Sequence, residues 1–196
     1  MTVRPVPAWP SATAPMLPSL WQTERLSVRD SVADELPELE AVADTCLYVN
    51  AWTGWRAEEH PGESLRNAVT DGLPPPDGSK ELYRMQTIRL RSTNRVIGFV
   101  AGYHGWPDPD TFYITEVMID AQFQGQGYGR ELASGLTDAV AQLGAYGRIC
   151  LLAALKNWPA LRFWMRAGYN RMVDYRGDKR HSPETFAYLM LEKALR

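Results

Sequence analysis

Alternating apolar and polar residues near the start of the chain predict a strand followed by a helix. Leu26 and Val28 alternate with polar neighbours across residues 23–29, which is the pattern of a half-buried strand. From residue 36 onward, leucines and valines recur at helical spacing, and Asp34 is in position to cap the helix N-terminus. The chain therefore opens with a strand and a helix, preceded by about twenty residues rich in proline and alanine.

The middle of the chain predicts helical pieces and then a series of strands. Residues 47–71 mix apolar and polar residues and predict two helical pieces, interrupted by Pro61 and Gly62. Residues 72–80 contain three prolines and two glycines, so we expect an exposed loop there. Three strand-like runs follow and predict an antiparallel meander. They cover residues 82–90, 96–103 and 112–119.

The last third of the chain predicts helices that alternate with short strands. Leu132, Leu136 and Val140 form an apolar stripe at helical spacing. A strand, a second helix and two further strands follow at residues 149–152, 158–166, 169–175 and 185–191. We therefore predict one α/β domain over residues 21–196, with helices around a mixed, mostly antiparallel central sheet of about six or seven strands. Residues 1–20 are predicted to be a flexible N-terminal extension.

Composition and charge narrow the function classes. The 196 residues are 45% hydrophobic and 22% charged, and no apolar run approaches the roughly 18 residues that a membrane-spanning helix needs. A net charge of -2 does not indicate a nucleic-acid partner. Cys46 and Cys150 belong to no Cys/His cluster, so we expect two buried free thiols and no metal site. The opening residues lack the apolar segment of a secretory signal, and we expect a cytoplasmic location.

The segment with the most chemical information is VMIDAQFQGQGYGRELASGL, which runs from a predicted strand through a glycine loop into a helix. Gly125, Gly127 and Gly129 leave backbone N–H groups unshielded at the helix N-terminus, where the helix dipole favours a pyrophosphate. Arg130 adds a positive charge. A tight turn without a ligand is the alternative interpretation of these glycines. The dinucleotide fingerprint would need glycine or alanine at position 130 or 132, and the mononucleotide loop would need a Gly-Lys pair, so both are excluded.

Two spaced motifs resemble those of the GNAT superfamily of acyl-CoA-dependent N-acyltransferases. The pyrophosphate loop of that family has the form Q/R-x-x-G-x-G/A, and Gln124, Gly127 and Gly129 match it. The family's second motif, N-x-x-A-x-x-F-Y-x-x-x-G-F, is similar to NWPALRFWMRAGY. The matching residues are Asn157, Ala160, Phe163, Gly168 and Tyr169. The opening TERLSVR, residues 23–29, also looks like the first strand of many members.

The resemblance implies a single-domain GNAT-like fold with a site for acetyl-CoA. In such a site the backbone of residues 117–119 pairs with the pantetheine arm like an added strand. Residues 124–130 wrap the pyrophosphate, and Asn157 hydrogen-bonds near the pantetheine or the thioester. The cofactor-binding residues that we expect on this basis are Val117, Met118, Ile119, Gln124, Gly125, Gln126, Gly127, Gly129, Arg130 and Asn157.

Acyl transfer to an amine requires the neutral amine, so a base must accept its proton. Glu116 is the candidate, because strand alternation puts it on the face opposite Val117 and beside the expected cofactor contact. A solvated or ion-paired strand glutamate is the alternative. Many family members have a tyrosine that protonates the departing thiolate, but Trp164 stands at that position. Tyr169, Tyr175 or water remain as proton donors.

The sequence leaves the acceptor open. MIDAQFQGQGYG is similar to the loop of bacterial polyamine acetyltransferases, while TERLSVR is similar to that of enzymes that acetylate protein amino termini. Trp52, Trp55 and Trp106, with Asp108 and Asp110, provide either packing or an aromatic and acidic site for a cationic amine.

We therefore expect an N-acetyltransferase that moves the acetyl group of acetyl-CoA to a primary amine of a small molecule or peptide. The alternative is a non-catalytic acyl-CoA-binding sensor, whereas an oxidoreductase is excluded by the missing dinucleotide fingerprint. The expected partner is the amine, without nucleic acid or membrane, and a homodimer stays open. We expect His104 and His181 to be ordinary surface histidines.

Overall fold

The computed structural model describes residues 14–56, 59 and 64–195, and in this part of the chain helices flank one sheet of eight strands. The strands are β1 (Leu20–Gln22), β2 (Leu26–Asp30), β3 (Tyr83–Leu90), β4 (Val96–His104), β5 (Thr111–Ile119), β6 (Arg148–Ala154), β7 (Arg171–Gly177) and β8 (Ala187–Ala194). The helices are α1 (Leu36–Asp44), α2 (Asn50–Thr53), α3 (Leu65–Thr70), α4 (Tyr128–Gln142) and α5 (Trp158–Arg166). The predicted α/β architecture is confirmed, with one strand more than the predicted range.

Strand pairing follows the predicted meander. From β1 to β5 each strand is antiparallel to the next, β5 and β6 are parallel, and β8 lies between β6 and β7 in antiparallel pairing. The sequence did not predict β1. This strand has only three residues, so no alternation marks it, and its pairing with β2 defines it.

The two faces of the sheet carry separate apolar cores. On one face, Leu136 of α4 belongs to the same cluster as Ile114 of β5 and Ile149 of β6, and α5 joins this cluster. On the other face, Leu39 of α1 packs in a cluster with Phe99 of β4. Both cysteines are free and buried, as predicted.

The middle of the sheet opens because β5 and β6 diverge after a short parallel pairing. The two strands pair only from Thr111 to Ile114 of β5. Beyond that point, among the described residues, β5 pairs with β4 alone and β6 with β8 alone. A register shift in the β4–β5 pair gives Thr115 no partner of its own. We call the gap between residues 115–119 and residues 152–154 the sheet opening.

Residues 14–20 pack against the sheet, which differs from the flexible extension that we expected there. Leu17 is buried in the core under α4, and its N–H donates to Nε2 of His104 at 3.0 Å. Its carbonyl accepts from Arg84 at 2.6 Å. A segment with a buried apolar side chain and hydrogen-bonded backbone groups is held in place. Residues 1–13 of the predicted extension lie outside the described residues.

Two local predictions are wrong. Asp34 does not cap α1, because the first turn begins after Val32 and the carboxylate of Glu35 accepts from the N–H of Val32 at 3.2 Å. His104 is not a surface histidine but a fully buried one at the end of β4. Its ring hydrogen-bonds to backbone groups on both sides, and such groups satisfy it without water.

The helical pieces predicted over residues 47–71 are α2 and α3, with a 3-10 turn at Leu47–Val49. The interruption predicted at Pro61 and Gly62 lies outside the described residues. Residues 72–79 form a loop, as predicted. None of the helices in the described part of the chain combines the length and apolar character that crossing a membrane requires.

Candidate active site

The glycine loop after β5 is shaped by two left-handed residues. Gly125 and Gly127 have φ angles of 76° and 87°, which side chains rarely tolerate. Gly127 is the N-cap of α4 and makes no side-chain capping bond. No side chain at the N-cap accepts a hydrogen bond from the N–H groups in the first turn of this 15-residue helix. These N–H groups are therefore suited to bind an anion.

The part of β5 beside the sheet opening directs backbone groups into it. The N–H of Asp120 donates to β4 at 2.9 Å, and with the antiparallel register this makes Met118 and Phe99 a hydrogen-bonded pair. Backbone groups alternate in direction along a strand, so those of Val117 and Ile119 point away from β4. Of the three predicted cofactor contacts on β5, Met118 therefore uses its backbone on β4 instead.

Gln124 holds the start of the loop. Its Nε2 donates to the carbonyl of Ile119 at 2.8 Å, and its Oε1 accepts from the hydroxyl of Tyr48 at 3.1 Å. The Sγ of Cys46 donates to the same carbonyl of Ile119 at 3.3 Å. This carbonyl, which we expected to pair with the cofactor, is already hydrogen-bonded within the protein. The backbone groups of Val117 and the N–H of Ile119 are thus the predicted contacts that still face the sheet opening.

Gln126 and Gly129 join the loop to its surroundings. The Nε2 of Gln126 donates to the carbonyl of Gln122 at 2.8 Å, and the carbonyl of Gln126 accepts from Arg25 at 3.2 Å. A Cβ at Gly129 would lie 3.3 Å from the ring of Phe163. The glycine therefore lets the first turn of α4 approach α5 closely.

A groove of about 370 Å³ lies between the first turn of α4 and α5, and three of its seven lining residues are arginines. Arg162 and Arg166 come from α5 and Arg130 from α4, and Trp158 is 60% exposed. None of the three guanidinium groups forms an ion pair with another described residue. Three cations beside an indole ring suit a phosphorylated aromatic ligand.

Of the residues that line this groove, only Arg130 is an electrostatic contact that we predicted from the sequence. Trp158, Arg162 and Arg166 recur at every fourth residue, which puts them on one face of α5. That spacing was the signal for a basic face, but it did not show that α4 lies opposite.

Glu116 lies on β5 just beyond the register shift, opposite Ala101 of β4. Val117 packs into the α4-side core and Met118 into the α1-side core, so alternation puts Glu116 on the α1 side. Its side chain is exposed on one side, but the surrounding protein desolvates the carboxylate and raises its pKa to about 7. Water on the open side opposes this shift, whereas a ligand that filled the opening would strengthen it.

Tyr83 of β3 is close enough to Glu116 for their charges to interact. Burial raises the pKa of the Tyr83 hydroxyl well above its usual range, the charge of Glu116 adds to the effect, and Thr115 opposes it. A phenol with a raised pKa stays neutral at ordinary pH. Glu116 therefore shares its surroundings with an uncharged hydroxyl.

Asn157 and Trp164 have structural roles. The Oδ1 of Asn157 accepts from a backbone N–H at 3.2 Å and so caps α5. Trp164 is buried, with its ring edge-on to that of Tyr169 and 5.0 Å between ring centres. Tyr169 is fully buried, and Tyr175 lies on the outer strand β7 with its hydroxyl on the carbonyl of Asp178. Neither tyrosine hydroxyl borders the sheet opening.

Packing and ion pairing account for most of the aromatic and acidic residues considered for the acceptor. Trp106 packs against Tyr113 with 4.4 Å between ring centres. Asp108 accepts a hydrogen bond from Arg148, which compensates its charge. Trp52 of α2 packs edge-on against the ring of Tyr48. His181 is exposed, as expected.

The segment of residues 47–53, which contains α2, links the two sides of the sheet opening. At one end, Tyr48 donates to Gln124 of the glycine loop. At the other end, the hydroxyl of Tyr188 in β8 donates to the carbonyl of Thr53 at 2.6 Å. Tyr188 pairs with Ala154 at the end of β6, so this contact lies across the opening from the loop. The segment is thus in position to border whatever enters the opening.

Comparison with known proteins points to one family and one fold. A model of the acetyltransferase (GNAT) family matches residues 49–169, which include β5, the glycine loop and α5. The spermine/spermidine N(1)-acetyltransferase of Bacillus subtilis (strain 168) is 27% identical over 111 residues, covering 53% of this chain and 72% of that protein.

Solved structures agree on the fold. An acetyltransferase (GNAT family) from Bacillus anthracis superposes with a TM-score of 0.65 at 16% identity, covering 90% of this chain and 98% of that one. The spermidine N-acetyltransferase from Vibrio cholerae in complex with CoA and spermine gives a TM-score of 0.64 at 12% identity, covering 87% and 96%. At these identities the likeness concerns the fold alone.

Proposed function

The chain belongs to the GNAT acetyltransferase family, and from this premise we propose that it transfers the acetyl group of acetyl-CoA to a primary amine of a small molecule or peptide. One arrangement carries the proposal: a helix N-terminus without a side-chain cap, a strand edge left by β6 and an arginine groove lie side by side. They match, in turn, the pyrophosphate, the pantetheine amides and the phosphorylated adenosine of an acyl-CoA.

The described residues fit this cofactor in charge and in shape. The N–H groups around Gly127 and the guanidinium of Arg130 would hold the pyrophosphate, and the backbone of Val117 the pantetheine. The two arginines and the tryptophan of α5 would hold the 3′-phosphoadenosine. A Cβ added to Gly125 meets no described atom within 4 Å, so the loop borders open space. When bound, acetyl-CoA supplies an acyl group activated as a thioester.

Glu116 is the proposed general base. An acceptor ammonium has no lone pair, and a carboxylate beside the sheet opening can take its proton. A pKa of about 7 suits this task, because a base is most efficient when its pKa is near the working pH. A thiol with a pKa of about 8.5 is a fair leaving group, so the reaction does not depend on a dedicated acid. The buried Trp164 has no part in the proton transfers.

A polyamine is the first acceptor class to test. Its support is the similarity of the chain to the spermine/spermidine N(1)-acetyltransferase of Bacillus subtilis. The test measures release of free CoA from acetyl-CoA with polyamines, aminoglycosides, amino acids and short peptides, beside calorimetric binding of CoA. Turnover with one class would support the transfer and identify the acceptor. Tight binding without turnover would contradict the transfer, and no binding would overturn the cofactor site.

Arg162→Met tests which part of the cofactor the groove holds. A hydrogen bond to a charged group contributes about 1.5 to 3 kcal/mol, so we expect the affinity for CoA to fall about 10-fold or more. The affinity for dephospho-CoA, which lacks the 3′-phosphate, should fall less. Arg66→Met removes an exposed arginine of α3, outside the groove, and should leave both affinities unchanged. Equal losses for both ligands in Arg162→Met would contradict a 3′-phosphate contact.

A further inference from the structure

The turn between β1 and β2 is fastened to the first turn of α4. The hydroxyl of Thr23 donates to Oε1 of Glu131 at 2.5 Å. Arg25 donates to the same carboxylate through its backbone N–H at 2.7 Å and its Nε at 2.6 Å. These residues open the TERLSVR segment, to which the proposed function gives no role. The contacts join residues 106 and 108 positions apart, so they are part of the tertiary structure.

The side chain of Arg25 lies against three consecutive residues at the start of α4. Its Nη1 donates to the carbonyl of Gln126 at 3.2 Å. Its guanidinium carbon lies 4.3 Å from the ring centre of Tyr128. Its Nη2 is 3.3 Å from the position of a Cβ at Gly127. The guanidinium group therefore packs against the peptide groups of the glycine loop and hydrogen-bonds to one of them.

The contact with Gln126 determines the direction of the next N–H group. A trans peptide is planar, and its C=O and N–H point in opposite directions. Because the carbonyl of Gln126 points at Arg25, the N–H of Gly127 points away from it. We propose that Arg25 is a positioning residue of the pyrophosphate loop, which holds this peptide with its N–H outward. The inference rests on the proposed function.

Glu131 gives Arg25 a second task. The carboxylate lies in the first turn of α4, where a negative charge repels a bound phosphate. Burial opposes the ionisation of Glu131, but hydrogen bonds from Thr23 and Arg25 outweigh it and hold its pKa below the usual value. Arg25 thus neutralises a carboxylate that is charged at neutral pH. Without Arg25, the loop would carry that charge uncompensated.

The test compares Arg25→Met with Arg91→Met. Arg91 donates to the carbonyls of Thr23 and Glu24 at 2.9 and 3.0 Å, so it holds the same turn without a contact to the glycine loop. In Arg25→Met we expect the Kd of CoA and the KM of acetyl-CoA to rise about 10-fold, with kcat within about twofold of wild type. In Arg91→Met we expect all three unchanged.

Acetyl-pantetheine separates positioning from general damage. It carries the thioester without the pyrophosphate, so its kcat/KM should be the same in wild type and Arg25→Met. Arg25→Lys keeps the charge and loses the planar fork. It should also weaken CoA binding and spare acetyl-pantetheine, and it replaces the methionine variant if that one does not fold.

Four outcomes would count against the inference. An equal loss with acetyl-pantetheine and acetyl-CoA, or an equal loss in Arg91→Met, would overturn the positioning role. Unchanged CoA affinity in Arg25→Met, beside a wild type that binds CoA, would overturn it and leave the proposed function standing. A wild type that does not bind CoA would overturn the proposed function itself, and with it the inference.

Discussion

The carboxylate of Glu116 combines access to solvent with a desolvated environment. The register shift beside it turns the strand at the point where β5 leaves β6, so the side chain lies at the sheet opening. Strand alternation was enough to predict its face from the sequence. Its pKa was not predictable, because the burial that raises it depends on how distant parts of the chain pack around the carboxylate.

Glu116→Gln removes the proposed base and keeps the size of the side chain. Only the ionised carboxylate accepts a proton, so wild-type kcat/KM is expected to rise with pH through about 7 and to level off above it. The glutamine variant should lack this rise and should be slower above neutral pH by about 10² to 10⁴-fold. The measurement is kcat/KM across the pH range, with the best acceptor of the panel.

The affinity for CoA is the control for Glu116→Gln and should not change. The acceptor ammonium also titrates, at a pKa of about 10 for a lysine-like amine and about 8 for a peptide amino terminus, but this rise is common to wild type and Glu116→Gln when both are measured with the same acceptor. A glutamine variant that keeps the rise near neutral pH would assign it to another group and remove Glu116 from the mechanism.

Among the elements, those with strong end signals were predictable. Helix α5 has the predicted bounds, because Asn157 caps its start and Gly168, with a φ of 95°, follows its end. Strand β1 carries no such signal and was missed. The arginine groove was missed for another reason: Arg130 and Arg162 come together only when two helices pack, and neither helix shows this in its own sequence.

The start of α1 depends on Glu35, a carboxylate that is only 4% exposed. It accepts from Arg89 at 2.7 Å and from Thr87 at 2.8 Å. Glu35→Gln would leave Arg89, whose side chain is only 10% exposed, with the half-exposed Glu38 as its remaining carboxylate partner. We therefore expect the free energy of unfolding to fall by about 3 kcal/mol, measured by urea denaturation at neutral pH.

Glu38→Gln is the matched control for Glu35. Glu38 also contacts Arg89, at 2.9 Å, but its side chain is 51% exposed, so its loss should cost less than about 1 kcal/mol. The pH dependence gives a second check. Burial opposes ionisation of Glu35, but hydrogen bonds led by that from Arg89 hold its pKa below the reference value of 4.5.

A carboxyl whose pKa is lowered by folding stabilises the protein above its unfolded pKa. That contribution is lost as the pH falls through the lower, folded value. Wild type and Glu35→Gln should therefore converge in stability below pH 4.5. A difference that stays constant into strong acid would contradict the ionic role of Glu35.

At the scale of the whole molecule, the sequence predicted the architecture but not the long-range contacts. The meander of strands, the apolar stripe of α4 and the glycine loop are local patterns, and each was predicted close to its observed position. The packing of Leu17 over β4 and the link between Arg25 and Glu131 join distant parts of the chain. Such contacts depend on which surfaces meet after folding, and alternation within one element does not reveal them.

His104 joins the N-terminal segment to the sheet and should make the stability of the whole molecule depend on pH. Its Nε2 accepts from the N–H of Leu17 at 3.0 Å, and its Nδ1 lies 2.9 Å from the carbonyl of Leu82. An N–H can only donate and a carbonyl can only accept, so the ring must be neutral with its proton on Nδ1. Burial lowers the pKa of His104 to about 4, against 6.5 for an ordinary histidine.

The unfolded chain therefore binds a proton at His104 more readily than the folded protein between pH 6.5 and about 4. As the pH falls through that window, the contribution of His104 to the free energy of unfolding should fall by up to about 3 kcal/mol. Glu116, whose pKa is raised to about 7 in the folded protein, contributes with the opposite sign, so the difference between wild type and a His104 variant isolates the histidine. His104→Gln keeps a donor and an acceptor but does not titrate. The free energy of unfolding, measured by urea denaturation at several pH values, should therefore lose less with falling pH in this variant than in wild type. His181→Gln, which replaces an exposed histidine, should keep the wild-type slope. Above pH 4.5 the contribution of Glu35 to stability is still present, so it does not affect this comparison. If the stability of His104→Gln depends on pH in the same way as that of wild type, the dependence comes from carboxylates and not from His104.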